Sequence, residues 1–267
     1  MLLRRLGVKP SRAMGQNFLV EPQVVRDIAD AANISDLSMI VEIGPGLGIL
    51  TRELLRRGST VTGVELDDQL ASYLTRDLQD NPRFSLVRKD ARHVDVAEMT
   101  GNRPYQVVAN LPYSVATVII RHFIESPHPP ERLTVMVQRE VAERMTATPP
   151  NMSLLGLATQ LYTNAAIQFF VPASSFLPPP KVESAVLNLD VRSDSETTQE
   201  ERDRFFDLAT MVFQRRRKTL ANGLSQGLHR AKSEIEMQLN SIDVDPMRRP
   251  QTLTLAEWLM VTRTVTA

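Results

Sequence analysis

Along the first half of the chain, short apolar runs alternate with stretches of helical periodicity. Residues 38–43 (SMIVEI) form a strand candidate that ends in the turn GPGLG. Residues 49–57 (ILTRELLRR) carry helical spacing and stop at Gly58. The same alternation continues through strand 60–66 (TVTGVEL), helix 67–78, strand 84–87, strand 105–109 (YQVVA), helix 115–124 and strand 133–137 (LTVMV). Strands alternating with helices predict an α/β fold with a parallel sheet covered on both faces. Further on, 169–176 and 184–191 (SAVLNLDV) read as strands around the turn LPPPKVE, and a hairpin there adds antiparallel pairing at the far edge of the sheet. Residues 192–200 are polar and lack apolar periodicity, as a linker does. Beyond them everything reads as helical. The stretch 201–217 carries Phe205, Leu208 and Val212 at near-helical spacing, with acids at its start and four bases at its end, an order that suits the helix dipole. The expected organisation is a sheet domain over 1–191, a linker over 192–200 and a small all-α domain over 201–267.

With 267 residues the chain has room for one large core and a smaller one. It contains no cysteine, which excludes disulfides and thiolate metal sites and makes a reducing cytoplasm the natural compartment. No apolar run approaches the ~18 residues that span a bilayer, and the N-terminus lacks a signal-peptide core, so no membrane partner is expected. His93, His122, His128 and His229 are scattered without metal-ligand spacing, so no metal is expected. Nothing demands more than a monomer. The 31 basic and 31 acidic residues cancel, so global charge gives no support to a nucleic-acid partner. The bases do cluster locally, at Arg4-Arg5, at Arg215-Arg216-Arg217-Lys218 and at Arg248-Arg249. Among the aromatics, Phe169-Phe170 read as core, Phe205 and Phe213 as helix-face packing, and Trp258 as the anchor of the last helix.

The richest local signal is Val41-Glu42-Ile43-Gly44-Pro45-Gly46-Leu47-Gly48, between a strand and a helix. Glycines there let the backbone turn sharply and approach a ligand closely. Both nicotinamide-binding and methyltransferase folds use such a turn. Glu65, at the end of the next strand, is suited to accept from the two ribose hydroxyls of a nucleoside, and Asp90, after the third strand, from an adenine amino group. The spacing Gly-x-Gly-x-Gly and the acid Glu42 just ahead of it lean away from a dinucleotide. A carboxylate is a poor neighbour for a pyrophosphate and a good one for a ligand that carries an ammonium or sulfonium.

Asn110-Leu111-Pro112-Tyr113 follows the fourth strand. The amino nitrogen of adenine is a poor nucleophile because its lone pair is delocalised into the ring. Accepting hydrogen bonds from both of its protons favours a pyramidal nitrogen. Asn110 offers a side-chain carbonyl, Pro112 biases Leu111 toward an extended backbone whose carbonyl is a second acceptor, and Tyr113 offers a stacking face. With an activated sulfonium donor, catalysis is mostly positioning. A nicotinamide oxidoreductase would need a hydride-transfer acid or base near the sheet edge, and none stands out. A non-catalytic nucleic-acid binder has no need of the amine-orienting motif.

Gly15-Gln16-Asn17-Phe18-Leu19, the EIGPGLG turn, Glu65, Asp90 and NLPY together resemble the ribosomal RNA adenine N6-dimethyltransferases. That family includes the bacterial small-subunit enzymes (KsgA, also called RsmA), their archaeal and eukaryotic relatives, and the Erm enzymes of the large subunit. The resemblance runs nearly end to end, through QREVAER at 138–144, FLPPPKVESAV at 176–186 and FQRRRKTL at 213–220, and is closer to the small-subunit branch. It implies a Rossmann-like class I methyltransferase fold with a mostly parallel seven-stranded sheet and a small all-α C-terminal domain. It implies S-adenosyl-L-methionine as cofactor, touched by Asn17, Leu19, Gly44, Glu65, Asp90 and Asn110. Tyr113 and Phe176 would sandwich a flipped adenine, with Asn110, Leu111 and Pro112 completing the catalytic set. The implied reaction puts two methyl groups on each of two adjacent adenosines near the 3′ end of small-subunit (16S) rRNA, in free RNA or an immature 30S particle. Arg215, Arg216, Arg217 and Lys218, with Lys181 in the proline-rich turn, are the expected phosphate contacts. One departure is that Leu155 precedes Gly156 where the family pattern has an aromatic residue.

Overall fold

The structure, a computed structural model, describes residues 16–36, 38–192 and 197–266. Arg4, Arg5 and positions 193–196 of the expected linker lie outside the described residues. By the density of internal contacts the chain divides into two units, Met1–Ala142 with Thr163–Val191, and Glu143–Tyr162 with Arg192–Ala267.

In the first unit, β1 (Phe18–Leu19) and α1 (Pro22–Ala31) precede β2 (Met39–Ile43), α2 (Ile49–Arg56), β3 (Thr60–Val64), α3 (Asp68–Asp77), β4 (Phe84–Val87) and α4 (Val96–Thr100). Then come β5 (Gln106–Asn110), α5 (Ala116–Ile124), β6 (Arg132–Gln138) and the start of α6 (Arg139–Met145). After an excursion into the second unit the chain returns with β7 (Thr163–Val171), β8 (Phe176–Leu177) and β9 (Ser184–Val191). Seven strands form one sheet in the order β4-β3-β2-β5-β6-β9-β7. The five from β4 to β6 are parallel, and β9 runs antiparallel between β6 and β7. The expected late hairpin is therefore present, with β9 inside and β7 at the edge. The strand expected over 169–176 starts earlier and breaks at Pro172, which has no N–H for the ladder, and a single 3₁₀ turn at Ala173–Ser175 follows. Its far end, β8, leaves the main sheet and pairs with β1, Phe18 opposite Leu177 and Leu19 opposite Phe176.

All five residues of β2 are buried, as a central strand covered on both faces requires. Ile40 packs with Ile28, Leu54, Val61, Val108 and Val186 in the unit's core. Local signals set the helix starts. Pro22 takes the first position of α1, with the Glu21 side chain accepting from the Gln23 N–H. Asp67 caps α3 by accepting from the N–H groups of Gln69 and Leu70. The order reverses on either side of β2, between β3 and β5, and the carboxyl ends of such strands leave a crevice for a ligand.

The second unit is helical, with α7 (Leu154–Tyr162), α8 (Gln199–Phe213), α9 (Leu220–Leu228), α10 (Lys232–Asn240) and α11 (Leu255–Val265). The two units part at Val191–Arg192, but residues 143–162, expected in the sheet domain, fall in the helical unit. Met152, Leu157 and Leu161 share one apolar cluster with Phe205, Leu224 and Trp258, so 143–162 belongs with the helices although strands follow it in the chain. Gly156 is required there, since a Cβ would lie 2.8 Å from the Arg144 carbonyl oxygen. The helix expected to reach 217 ends at Phe213. The chain then turns so that Thr219 can cap α9 by accepting from the Asn222 N–H. Arg215–Lys218 accordingly occupy a turn, with Arg216, Arg217 and Lys218 exposed. Arg248 is structural, held 2.5 Å from Glu257, whose carboxyl it keeps below the usual range. Glu257 in turn completes the capping box of α11 with Thr254. No helix among the described residues is long and apolar enough to cross a membrane.

Trp258 is fully buried, donates from Nε1 to the Pro250 carbonyl at 3.2 Å and lies 5.7 Å from the Phe213 ring. Trp258→Ala should cost about 3–5 kcal/mol in urea unfolding followed by circular dichroism, the range for truncating a buried large aromatic side chain.

Candidate active site

At the carboxyl end of β2 the backbone enters the turn Gly44–Gly48, in which Gly44, Gly46 and Gly48 have φ of 65°, 58° and 74°. Side chains rarely tolerate that region. At Gly48 a Cβ would also lie 2.6 Å from Leu74 Cδ2. At Gly44 the nearest atom to such a Cβ is the Asn110 carbonyl oxygen at 4.0 Å, so the space above it is open. The turn is tied down by its neighbour strand. The Gly44 N–H donates to the Val64 carbonyl at 2.9 Å. The Gly46 N–H donates to Glu65 Oε2 and the Asp67 N–H to Glu65 Oε1, both at 3.0 Å. Phe18 packs over the turn, its ring 3.3 Å from where a Gly46 Cβ would stand.

Around this turn lies a cavity of about 280 Å³, lined by Asn17, Leu19, Gly44, Glu65, Asp90 and Asn110, the residues expected to touch a methyl donor. Leu111, Pro112 and Tyr113 line it as well. The Asn110 side chain donates from Nδ2 to the Asn17 carbonyl at 3.3 Å, which leaves Oδ1 as its acceptor. The Leu111 N–H donates to the Met136 carbonyl at 3.2 Å, and the Pro112 carbonyl accepts from the Val115 N–H at 3.1 Å. Tyr113 is set by its hydroxyl, 2.5 Å from the Ser184 hydroxyl on β9. Asp90 caps a 3₁₀ turn and receives the Arg92 guanidinium on both oxygens, and that partner holds its carboxyl down at about 2.

Phe176 departs from expectation. It is 3% exposed, packs in the core cluster with Leu19 and does not line the cavity, so it presents no stacking face here. The reason is its pairing with β1, which turns the ring inward beneath the segment that carries Asn17 and Leu19. Lys181 is exposed in the turn before β9. No group of three or more His, Cys, Asp or Glu residues fit to hold a metal occurs among the described residues.

Sequence reasoning gave no role to Ser184, which anchors Tyr113, or to Gln16, Phe18 and Leu66 in the cavity wall. Their signal was adjacency, since the first two flank Asn17, Leu66 follows Glu65, and Ser184 lies in the block that carries Lys181. Glu42 is the other case. It is 2% exposed, lines the cavity, and its Oε2 has no hydrogen-bond partner. Burial pushes its carboxyl up to about 8, and the neighbouring Glu65 acts in the same direction. Burial also raises Glu65.

A family model, ribosomal RNA adenine dimethylase, matches residues 8–261. The chain belongs to the ribosomal RNA adenine dimethylase family. It is 38% identical over 255 residues to ribosomal RNA small subunit methyltransferase A of Dehalococcoides mccartyi, covering 95% of this chain and 88% of that protein. It is 38% identical over 260 residues to the protein of the same name from Clostridium perfringens, covering 96% and 91%. Among solved structures, the 23S rRNA methyltransferase ErmE matches with a TM-score of 0.76 at 25% identity, over 94% of this chain and all of that one. A dimethyladenosine transferase from Plasmodium falciparum matches with a TM-score of 0.78 at 24% identity, over 91% and 95%, and shows the same fold. The fold is thus that of class I methyltransferases, and the chain is an rRNA adenine dimethyltransferase that uses S-adenosylmethionine. The residues present fit that cofactor. The open space above Gly44 admits a ligand against the backbone, and the buried Glu42 Oε2, which has no hydrogen-bond partner, suits a ligand with positive charge.

The raised Glu42 carboxyl has a measurable consequence. Its folded value lies above that of the unfolded chain, so the folded state holds the proton more tightly. The stabilisation is complete below about pH 4.5 and is lost as pH rises through about 8. In the ligand-free protein, the stability of wild type relative to Glu42→Gln should fall from pH 5 to pH 8, with a slope of at most ~1.4 kcal/mol per pH unit. Urea unfolding at several pH values reads it, and a flat difference contradicts it.

Proposed function

We propose that this enzyme dimethylates N6 of two adjacent adenosines near the 3′ end of 16S rRNA in an immature 30S particle, acting as a monomer in the cytoplasm. The observation that carries the reading is the Asn110–Asn17 hydrogen bond inside the donor cavity, with Tyr113 beside it. With Nδ2 engaged in that bond, the amide oxygen of Asn110 remains to accept from an amine that meets a methyl donor in this cavity.

S-adenosylmethionine supplies a methyl group already activated by its positive sulfur. Asn17 and Leu19 form one wall for it, and Gly44 gives backbone access to its methionine part. Glu65 is held rigidly by two backbone N–H groups and keeps further lone pairs for ribose hydroxyls. Asp90 is ionised at any working pH and accepts from the adenine amino group. On the target side, the Asn110 side chain and the Leu111 carbonyl accept the two amine protons, and Pro112 holds Leu111 extended. Tyr113 stacks on the target base. Phe176 supports the Leu19 segment from below. No general base is needed, because the ammonium formed by methylation is acidic enough to lose its proton to water. Outside the cavity, Arg215–Lys218 and Lys181 contact phosphates. The small-subunit target follows the names of the relatives at 38% identity, and a large-subunit target is the alternative outcome of the assay.

Methyl transfer from labelled S-adenosylmethionine should occur on immature small subunits and not on naked large-subunit rRNA. Asn110→Ala should lower the rate by about 10²-fold or more, as loss of a positioned acceptor does, with RNA affinity within about twofold of wild type. A normal rate in that variant overturns the amine-orienting role.

Arg216→Ala combined with Arg217→Ala should weaken RNA binding and flatten the plot of log affinity against log salt by roughly 1–2 units, about 0.7–0.9 per lost phosphate contact. An unchanged slope removes this turn from the interface.

A further inference from the structure

The last exposed position of β7 carries an aromatic ring that the core does not use. Phe170 is 46% exposed, whereas Phe169 packs against the core cluster. The expectation that both rings are core fails because β7 is an edge strand and successive side chains face opposite ways. The Arg139 guanidinium carbon lies 4.6 Å from the centre of the Phe170 ring. That guanidinium is fixed from the side by Glu183, whose Oε2 accepts from Nη1 at 2.8 Å, yet the side chain remains 48% exposed. Val182, 45% exposed, and the exposed Lys181 continue the patch along the chain. Arg139 and Lys181 against Glu183 leave it with a net charge of +1.

The patch lies at the same end of the sheet as the target site, on the other face. Phe170 pairs with Ala185, and the next residue back, Ser184, holds the Tyr113 hydroxyl. Ser184 also pairs with Gln138, the residue before Arg139. The ring and Ser184 thus leave opposite sides of the pleat at the same end of the sheet, a few ångströms apart along the backbone. A strand whose target base is drawn out of its stack must place the neighbouring nucleotides somewhere at this edge.

We propose that Phe170, Arg139 and Lys181 form a platform for a nucleotide flanking the target adenosine, with the base stacked on the ring–guanidinium pair and its phosphate near Lys181. The proposal rests on the target-base reading of Tyr113. One ring and one valine offer far less than the ~800 Å² per side that a stable protein partner buries, but they match a single base. A guanidinium steadied by an acid and a ring is a ready stacking surface for RNA.

The test compares wild type, Phe170→Ala, Phe170→Tyr and Arg139→Gln on immature small subunits, together with S-adenosylmethionine affinity and thermal stability. Phe170→Ala should raise KM for the particle about 5- to 100-fold, the effect of losing one stacked base, with kcat and donor affinity unchanged. Phe170→Tyr should restore KM, and Arg139→Gln should raise it and reduce its salt dependence. A KM within twofold of wild type for Phe170→Ala overturns the platform. So does a loss of kcat or donor affinity without a change in KM, which marks a structural role. If wild type fails to methylate the particle, the functional reading fails on its own. The platform is then decided by binding of a short single-stranded RNA, where equal affinity for wild type and Phe170→Ala overturns it.

Discussion

The site depends on one buried contact, the Glu65 carboxylate on the Gly46 N–H. It fastens the glycine turn at the end of β2 to the end of β3, and the same carboxylate takes the Asp67 N–H at the start of α3. The three glycines permit the left-handed backbone, but permission alone leaves a floppy loop. The acid selects one conformation from those that glycine allows. The cost is a carboxylate taken out of water, offset by two charge-assisted hydrogen bonds. Gln16 adds a tie from the N-terminal side, donating to Asp67 at 3.2 Å.

A second constraint comes from a strand of two residues. β1 and β8 pair outside the main sheet, and their ladder brings residues 16–19 against the glycine turn. Phe18 covers the turn, Leu19 reaches the core above Phe176, and the Asn17 carbonyl receives Asn110. On the proposed reading this hydrogen bond joins the residue beside the donor to the residue that accepts from the amine. Ser184 plays the matching part for Tyr113 from β9. The antiparallel edge of the sheet is what carries that anchor to the active end.

Much of this was legible in the chain. Strands at 84–87 and 184–191 coincide with the observed β4 and β9, because turn residues bound them sharply. The cavity residues Gly44, Glu65, Asp90 and Asn110 were legible because each sits at or beside a strand end, where topology fixes position, whereas Asn17 followed only from the family resemblance. What was not legible depends on partners distant in sequence. Whether Phe176 faces a cavity or the core depends on which strand pairs with it, and that strand is 157 residues earlier, at Leu19. Phe170 reads as core by hydrophobicity and is exposed because its strand ends the sheet. Residues 143–162 lie between two strands in sequence, yet their apolar side chains fit the helical cluster. Arg248 looks like part of a basic patch until Glu257, nine residues on, is seen to neutralise it.

Charge explains how a protein of zero net charge can serve both ligands. The donor cavity gathers Glu42, Glu65 and Asp90. Of these, Asp90 is kept ionised by Arg92, whereas Glu42 is buried with its Oε2 unpartnered and holds its proton near neutrality. A fully ionised trio would repel the phosphates of an RNA that approached the same opening. With Glu42 neutral the cavity carries less negative charge, and a positively charged ligand favours its ionised form. Bases join the acids, since Lys89 and Arg92 line the same cavity. Acids and bases thus meet within one site, and the exposed bases of turn 216–218 and Lys181 offer a polyanion the opposite sign of charge, while the sum over the chain stays at zero.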